Sequence, residues 1–169
     1  MKIIIDSNIV IHSIKGGVFD ELFEVAHELF FAKPLIVELA KDADRFKKKV
    51  INGSVKIINW NRDIRRKANS LGRKHSDKLS REDLILLATV ILSEEKIERL
   101  ATSDYPLRNA AHLEYVDLLW IGDFLKFIGT SEGEALELLR KIFPQGVPAF
   151  SCDVWPFAIS LEKEDSVSP

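Results

Sequence analysis

Short, wholly apolar runs alternate along this chain with longer stretches in which apolar residues recur every three or four positions. Lys2-Ile3-Ile4-Ile5 is continuous and β-branched, the pattern of a strand buried on both faces of a parallel sheet. It stops at Asp6-Ser7-Asn8, residue types whose side chains bond local backbone and let a chain leave a strand. Ile9 to His12 predicts a turn entering a short helix, which Gly16-Gly17 breaks. Across 19–30, Phe19, Leu22, Phe23, Ala26 and Phe30 share a helical face. Phe30-Phe31-Ala32 is a candidate short strand. Pro34 suits the first turn of a helix. That helix would carry Leu35, Leu39, Asp42 and Phe46 on one face, Glu38 about one turn inside, and Lys47-Lys48-Lys49 at a solvated end. Asn52-Gly53 predicts a turn, Val55 to Trp60 a strand, and Arg62 to Leu71 a helix stopped by Gly72.

The stretch from Leu79 to Asn109 organises the rest. Ser80 is a good N-cap with a capping-box acid at Asp83. Leu84 to Leu92 is apolar nearly all round, so this helix should be buried. Arg99 to Thr102 is short and suits a strand returning to the sheet. Leu107 to Leu113 predicts a short helix, Val116 to Trp120 a last strand, and Gly133 to Phe143 an amphipathic helix. Pro144, Gly146, Pro148 and Pro156 favour extended structure, and 162–169 is an acidic tail expected to be disordered. Strands alternating with helices predict one α/β domain over 1–161 with a central, largely parallel sheet.

Composition narrows the class. At 169 residues and 46% apolar the chain can bury a sizeable core. A net charge of −2 supplies no global basic field for nucleic acid. One cysteine, Cys152, excludes an internal disulfide and a cysteine-built zinc site. No run reaches membrane-spanning length and no leader precedes the first strand, so the expected location is cytoplasmic, with no membrane partner.

Four acids stand apart: Asp6, Glu38, Asp83 and Asp104. Asp6 and Asp104 follow predicted buried strands, Asp83 opens the buried helix, and Glu38 is flanked by Leu35, Ile36, Val37, Leu39 and Ala40. Carboxylates in such settings are costly unless paired or metal-bound. Each also has a plainer reading. Asp83 is explained by the capping box alone, Asp6 by turn amides, Asp104 by capping the next helix, and Glu38 by a partly exposed face. Taken together, at positions where open α/β sheets bind ligands, they favour one shared site. An all-oxygen donor set suits Mg²⁺ or Mn²⁺, and sites of this kind hydrolyse phosphodiesters.

The order of these motifs resembles a PIN-domain nuclease: an apolar strand ending in Asp6-Ser7-Asn8, then Pro34 and Glu38, then Leu79-Ser80-x-x-Asp83, then Ala101-Thr102-Ser103-Asp104. The resemblance is clearest over 1–125. Leu-Ser-x-x-Asp followed by Thr102-Ser103-Asp104-Tyr105 and Asn109 is similar to the branch that matures small-subunit ribosomal RNA. Lys33 stands where that branch usually has Thr or Ser, and its zinc ribbon is missing. The resemblance implies a three-layer α/β/α fold, with Asp6, Glu38, Asp83 and Asp104 as catalytic, metal-binding acids. Ser7, Asn8 and Ser103 would bond those carboxylates or the ion's water. It implies an endoribonuclease acting on single-stranded or loop RNA, in rRNA processing for that branch.

From Asn61 to Lys78, seven basic residues face two acids, a net of +5. Arg65, Arg66, Arg73 and Lys74, with Arg108 near the acids, are the expected RNA-backbone contacts; a solvated helix face is the plain alternative. Trp60, Tyr105, Trp120 and Trp155 are candidates for base stacking, although core packing suits Trp60 and Trp120 better. His12 and His75 are candidates for assisting the site, with a structural role the plainer reading. Alternatives from other classes are a toxin ribonuclease of a toxin–antitoxin pair, an RNA-binding module with an inactive acid site, and a phosphatase-like hydrolase of small substrates. A second copy of the chain or an antitoxin-like protein are the protein partners left open.

Overall fold

The computed structural model describes residues 1–24, 27–75, 79–122, 125 and 131–143. Five strands form one parallel sheet: β1 (Lys2–Ile5), β2 (Glu28–Ala32), β3 (Lys56–Ile58), β4 (Arg99–Ala101) and β5 (Leu118–Leu119), in the order β3-β2-β1-β4-β5. The triple-isoleucine run lies at its centre and is fully buried, with Ile4 in register with Phe30 on one side and Leu100 on the other. The chain builds β2 and β3 on one side of β1, then crosses to build β4 and β5 on the other. The carboxyl ends of β1 and β4 therefore flank the sheet's topological switch point, where doubly wound folds bind ligands.

Helices cover the sheet. Helix α1 (Ser7–Gly16) packs against α2 (Phe19–Leu22), α7 (Glu132–Ile142) and the 3-10 helix Lys33–Asp42, which meets α3 (Ala43–Ile51). Helix α4 (Arg62–His75) packs on α5 (Arg81–Leu92), which also meets α6 (Tyr105–Leu113). The expected α/β fold with its central parallel sheet is what forms. No helix among the described residues is long and apolar enough to cross a membrane.

Local expectations fail in four places. The helix expected across 19–30 ends at Leu22, and Phe30 belongs to β2, where Leu29, Phe30, Phe31 and Ala32 are all buried. Two separate apolar runs had imitated one helical stripe; burial on both faces decides for strand. Pro34 opens a 3-10 helix rather than an α-helix, and Ala40 interrupts it at φ 45°, ψ −115°. Phe46 thus lies on a different helix from Leu35 and Leu39. Lys49 is not at a solvated end: its ammonium sits 2.8 Å from Asp20 and within 6 Å of the Phe19 and Phe23 rings. Finally, Gly72 does not stop α4, which continues to His75. A Cβ at Gly72 would lie 3.2 Å from Leu84 Cδ1, so the missing side chain admits α5. The expected extended stretch after Pro144, the acidic tail, Cys152 and Trp155 lie outside the described residues.

Candidate active site

Asp6 occupies the N-cap position of α1, one residue past β1, and is 3% exposed. Its backbone N–H still donates to Ala101 O at 2.9 Å, so the β1–β4 ladder holds the residue in place. Its side chain is the centre of a hydrogen-bond cluster. Thr102 Oγ1 donates to Asp6 Oδ2 at 2.7 Å. Asn8 Nδ2 donates to the same oxygen at 2.5 Å and to Thr102 Oγ1 at 3.2 Å. Thr102 Oγ1 also accepts from the Asp104 N–H at 3.1 Å, and Asn8 Oδ1 accepts from the Ser103 N–H at 3.1 Å. The Thr102 hydroxyl thereby spends its one proton and both lone pairs inside the cluster. Ser7 Oγ lies 3.2 Å from Asp6 Oδ1 and also hydrogen-bonds Glu38 Oε2, one proton serving the two carboxylates.

The other acids arrive from separate elements. Asp104 caps α6, its Oδ1 accepting from the Leu107 N–H at 2.8 Å. Asp83 closes the expected capping box: its N–H donates to Ser80 Oγ at 3.0 Å, and its Oδ2 accepts from the Ser80 N–H at 2.9 Å. Glu38 projects from the 3-10 helix after β2 and is exposed, contrary to the enclosure suggested by its apolar neighbours. A 3-10 turn separates Leu35 and Leu39, which face inward, from Val37 and Glu38, which face out.

The electrostatics tie the four together. Burial pushes Asp6 up to about 7 from 3.8; the Thr102 bond opposes this, and the charges of Asp83 and Glu38 add to it. Asp104 is also raised, first by burial, against the Leu107 bond and with the charge of Asp83 adding to it. So Asp83 acts on Asp6 and Asp104, and Glu38 acts on Asp6.

By chemistry alone, this donor set suits a hard divalent cation. It is all oxygen, and like charges gather around a carboxyl that burial disfavours when ionised. Ser103 Oγ is buried without a hydrogen-bond partner among the described residues. The carboxylates do not close on one point: among the described residues no group of three Asp, Glu, His or Cys could hold an ion. Mg²⁺ ordinarily keeps several waters and binds through only one or two carboxylates.

The expected helpers divide. Ser7 and Asn8 bond Asp6 through their side chains, whereas Ser103 takes part through its backbone. Thr102 is the member that sequence reading passed over as a site residue, although it stands in the Thr-Ser-Asp run. His12 is structural: its ring packs edge-on against Phe143 at 4.8 Å, and burial followed by Lys15 pushes it down to about 4. His75 pairs with Glu114 at 3.0 Å.

The basic segment sorts by helical face. Arg66 pairs loosely with Asp63 at 3.8 Å; Lys67 and Lys74 reach Glu114 at 4.0 and 2.7 Å. Arg65 and Arg73 instead line a groove between α4 and α5. Arg108, on α6, is half-buried. Trp120 is buried at 1% exposure, as core packing requires, but Trp60 is 39% exposed and lines the same groove as Arg65.

No family model matches the sequence, and no curated protein matches it either. Among solved structures, the chain is similar to a chain of VapBC2 from Rickettsia felis, whose crystal structure is bound to a DNA fragment from their promoter. Identity is 14% and the TM-score 0.51, over 71% of this chain and 98% of that one. The likeness is one of fold, and that fold is the PIN-like α/β arrangement.

Proposed function

We propose that this chain is a metal-dependent endoribonuclease that hydrolyses phosphodiester bonds in single-stranded or loop RNA. The observation that carries the reading is Asp6, buried at the switch point of a PIN-like sheet within the field of Asp83 and Glu38, with Asp104 three residues past the end of the neighbouring strand and within the field of the same Asp83. Asp6, Glu38, Asp83 and Asp104 would hold Mg²⁺ or Mn²⁺. When bound, such an ion lowers the pKa of a water and stabilises the departing oxygen.

The chain's own residues prepare that site. Thr102 and Asn8 pin one oxygen of Asp6, which fixes its rotamer before substrate arrives. Ser7 ties Glu38 to Asp6, and the Ser80 capping box orients Asp83. Helix α6 uses only Oδ1 of Asp104, leaving the second oxygen available. Cleavage of a fluorescent loop RNA with Mg²⁺ or Mn²⁺ tests the reading. Asp6→Asn and Asp104→Asn should each lower the rate at least a hundredfold, and undiminished cleavage by either variant would remove the assignment.

A second reading, the toxin ribonuclease of a toxin–antitoxin pair, shares this chemistry and is favoured by the likeness to VapBC2. A stable complex with the product of an adjacent gene would support it. The narrower role in rRNA processing rests on the Leu79–Asp83 and Thr102–Asn109 wording, and altered 3′ ends of small-subunit rRNA on depletion would test it.

A further inference from the structure

We propose that the groove between α4 and α5 is a nucleotide-binding site that holds an unpaired RNA strand by a stacked base and by phosphates. This rests on the nuclease reading for the choice of RNA, but not on the acid site itself. The groove has a volume of about 870 Å³ and is lined by Trp60, Arg65, Asn69, Arg73 and Arg81 around a floor of Ala68, Gly72, Leu84 and Ile85.

Its charges differ from those of most of the described basic segment. Arg66, Lys67, Lys74 and His75 all have carboxylate partners. Arg65, Arg73 and Arg81 pair with no carboxylate among the described residues, and all three are exposed. On α4, positions 65, 69, 72 and 73 fall on one face at the spacing that makes helical residues neighbours. Among the described cations of the segment, Arg66, Lys67 and Lys74 thus share the carboxylates of Asp63 and Glu114, while the two arginines on this face have none.

The floor and the aromatic ring decide what kind of anion fits. Three guanidiniums alone would suit any polyanion. Here they rim an apolar floor of Ala68, Leu84 and Ile85, in which Gly72 lets Leu84 pack close. Trp60 borders it, with the Arg65 guanidinium 5.9 Å from the ring centroid. Indole and guanidinium planes both stack on bases, and base–aromatic stacking tolerates any sequence. The Asn69 amide can donate to and accept from a base edge. An acidic peptide would use the rim and leave the ring and floor unfilled.

The position also suits the acids. Arg81 lies in the same first turn of α5 as Asp83. Residues two apart point to different sides of a helix, so the groove and the carboxylates flank that turn from opposite sides. Phosphates gripped at Arg81 would be delivered past a site that otherwise repels them.

The test measures binding apart from cleavage. The full chain in EDTA is titrated into fluorescein-labelled oligouridylate and into the matching abasic ribose-phosphate strand, read by anisotropy. Trp60→Ala should weaken oligouridylate binding roughly tenfold and leave the abasic strand unaffected, with Trp60→Phe restoring most of the loss. Arg81→Ala should weaken both strands and lower the salt slope by about 0.7, the value for one single-strand phosphate contact. Equal losses on both strands for Trp60→Ala would overturn the stacked base. Polyglutamate displacing the label as well as unlabelled oligouridylate would overturn the site in favour of an acidic protein partner. Loss of binding in Trp60→Ala without loss of cleavage sensitivity to Asp6→Asn separates the two proposals. If no RNA is cleaved but Trp60→Ala still discriminates, the nuclease reading falls and the groove stands.

Discussion

Asp6 is where burial and charge can be separated by one substitution. Its carboxyl is raised to about 7 from 3.8, mainly by burial. The native chain therefore keeps a proton that the unfolded chain has released across the interval between those values. The associated stability is intact below about pH 4 and is lost as pH rises through about 7. At about 1.4 kcal/mol per pH unit, ionised Asp6 costs the metal-free fold roughly 4 kcal/mol at alkaline pH. His12 works in the opposite sense. It is lowered to about 4 from 6.5, so stability rises with pH between those values. The two slopes oppose each other, and the wild-type curve alone would hide both. Comparing wild type with Asp6→Asn cancels His12. In urea titrations with EDTA, the variant's stability relative to wild type should grow by about 1.4 kcal/mol per pH unit from about pH 4 to about pH 7, then level. With a urea slope of ~2 kcal/mol/M, the full effect is a midpoint shift of roughly 2 M. Hydrogen bonds lost to Asn offset the curve by a constant and leave its slope alone. A difference that does not change between about pH 5 and about pH 8 would refute the reasoning.

Three further outcomes follow from the same geometry. Mn²⁺ at about 100 times its Kd should raise wild-type stability by about 2.7 kcal/mol by mass action, and Asp104→Asn should lose most of that gain in a thermal melt. Ser80→Ala removes the N-cap of α5 and should cost about 1 kcal/mol in urea, with a drop in Mn²⁺-dependent cleavage larger than the stability loss explains, since Asp83 loses its orientation. Gly72→Ala should be near neutral, helix propensity of about 1 kcal/mol being offset by the tight Leu84 contact. Gly72→Val should destabilise by about 1–3 kcal/mol and halve the groove's affinity for oligouridylate or worse.

How much of this was legible in the sequence depends on whether a residue's fate is set locally. The Ile3–Ile5 strand, the Ser80–Asp83 capping box and the strand ends before Asp6 and Asp104 were readable because a few adjacent residues decide them. The 19–30 region was misread because periodicity cannot separate a strand buried on both faces from part of a helical stripe. Gly72 was misread because its reason is Leu84, twelve residues on, where only tertiary contact gives a mid-helix glycine its purpose. Thr102 stands within the Thr-Ser-Asp run, but its role is not legible there, since it lies in an oxygen of Asp6 past the end of a different strand. The +5 segment was legible as charge, but its division into paired and unpaired faces was not, because Glu114 supplies most of the pairing from 40 residues away.

The plain and the functional readings of the acids turn out to be compatible. Asp6 and Asp104 occupy N-cap positions, and Asp83 is the third residue of its helix. A helix N-terminus carries partial positive charge, which lowers the cost of bringing carboxylates together. Capping also spends one oxygen of Asp83 and one of Asp104 on backbone N–H groups, which fixes each side chain and leaves its second oxygen uncommitted. A capping acid is thus a preorganised ligand rather than an alternative to one. Glu38 has no such cap. It is exposed and depends on the Ser7 hydroxyl, two residues before the strained Ala40. Of the four carboxylates it is the one whose position the backbone fixes least, so replacement of Ser7 by Ala should disturb Glu38 more than Asp6, which keeps Thr102 and Asn8.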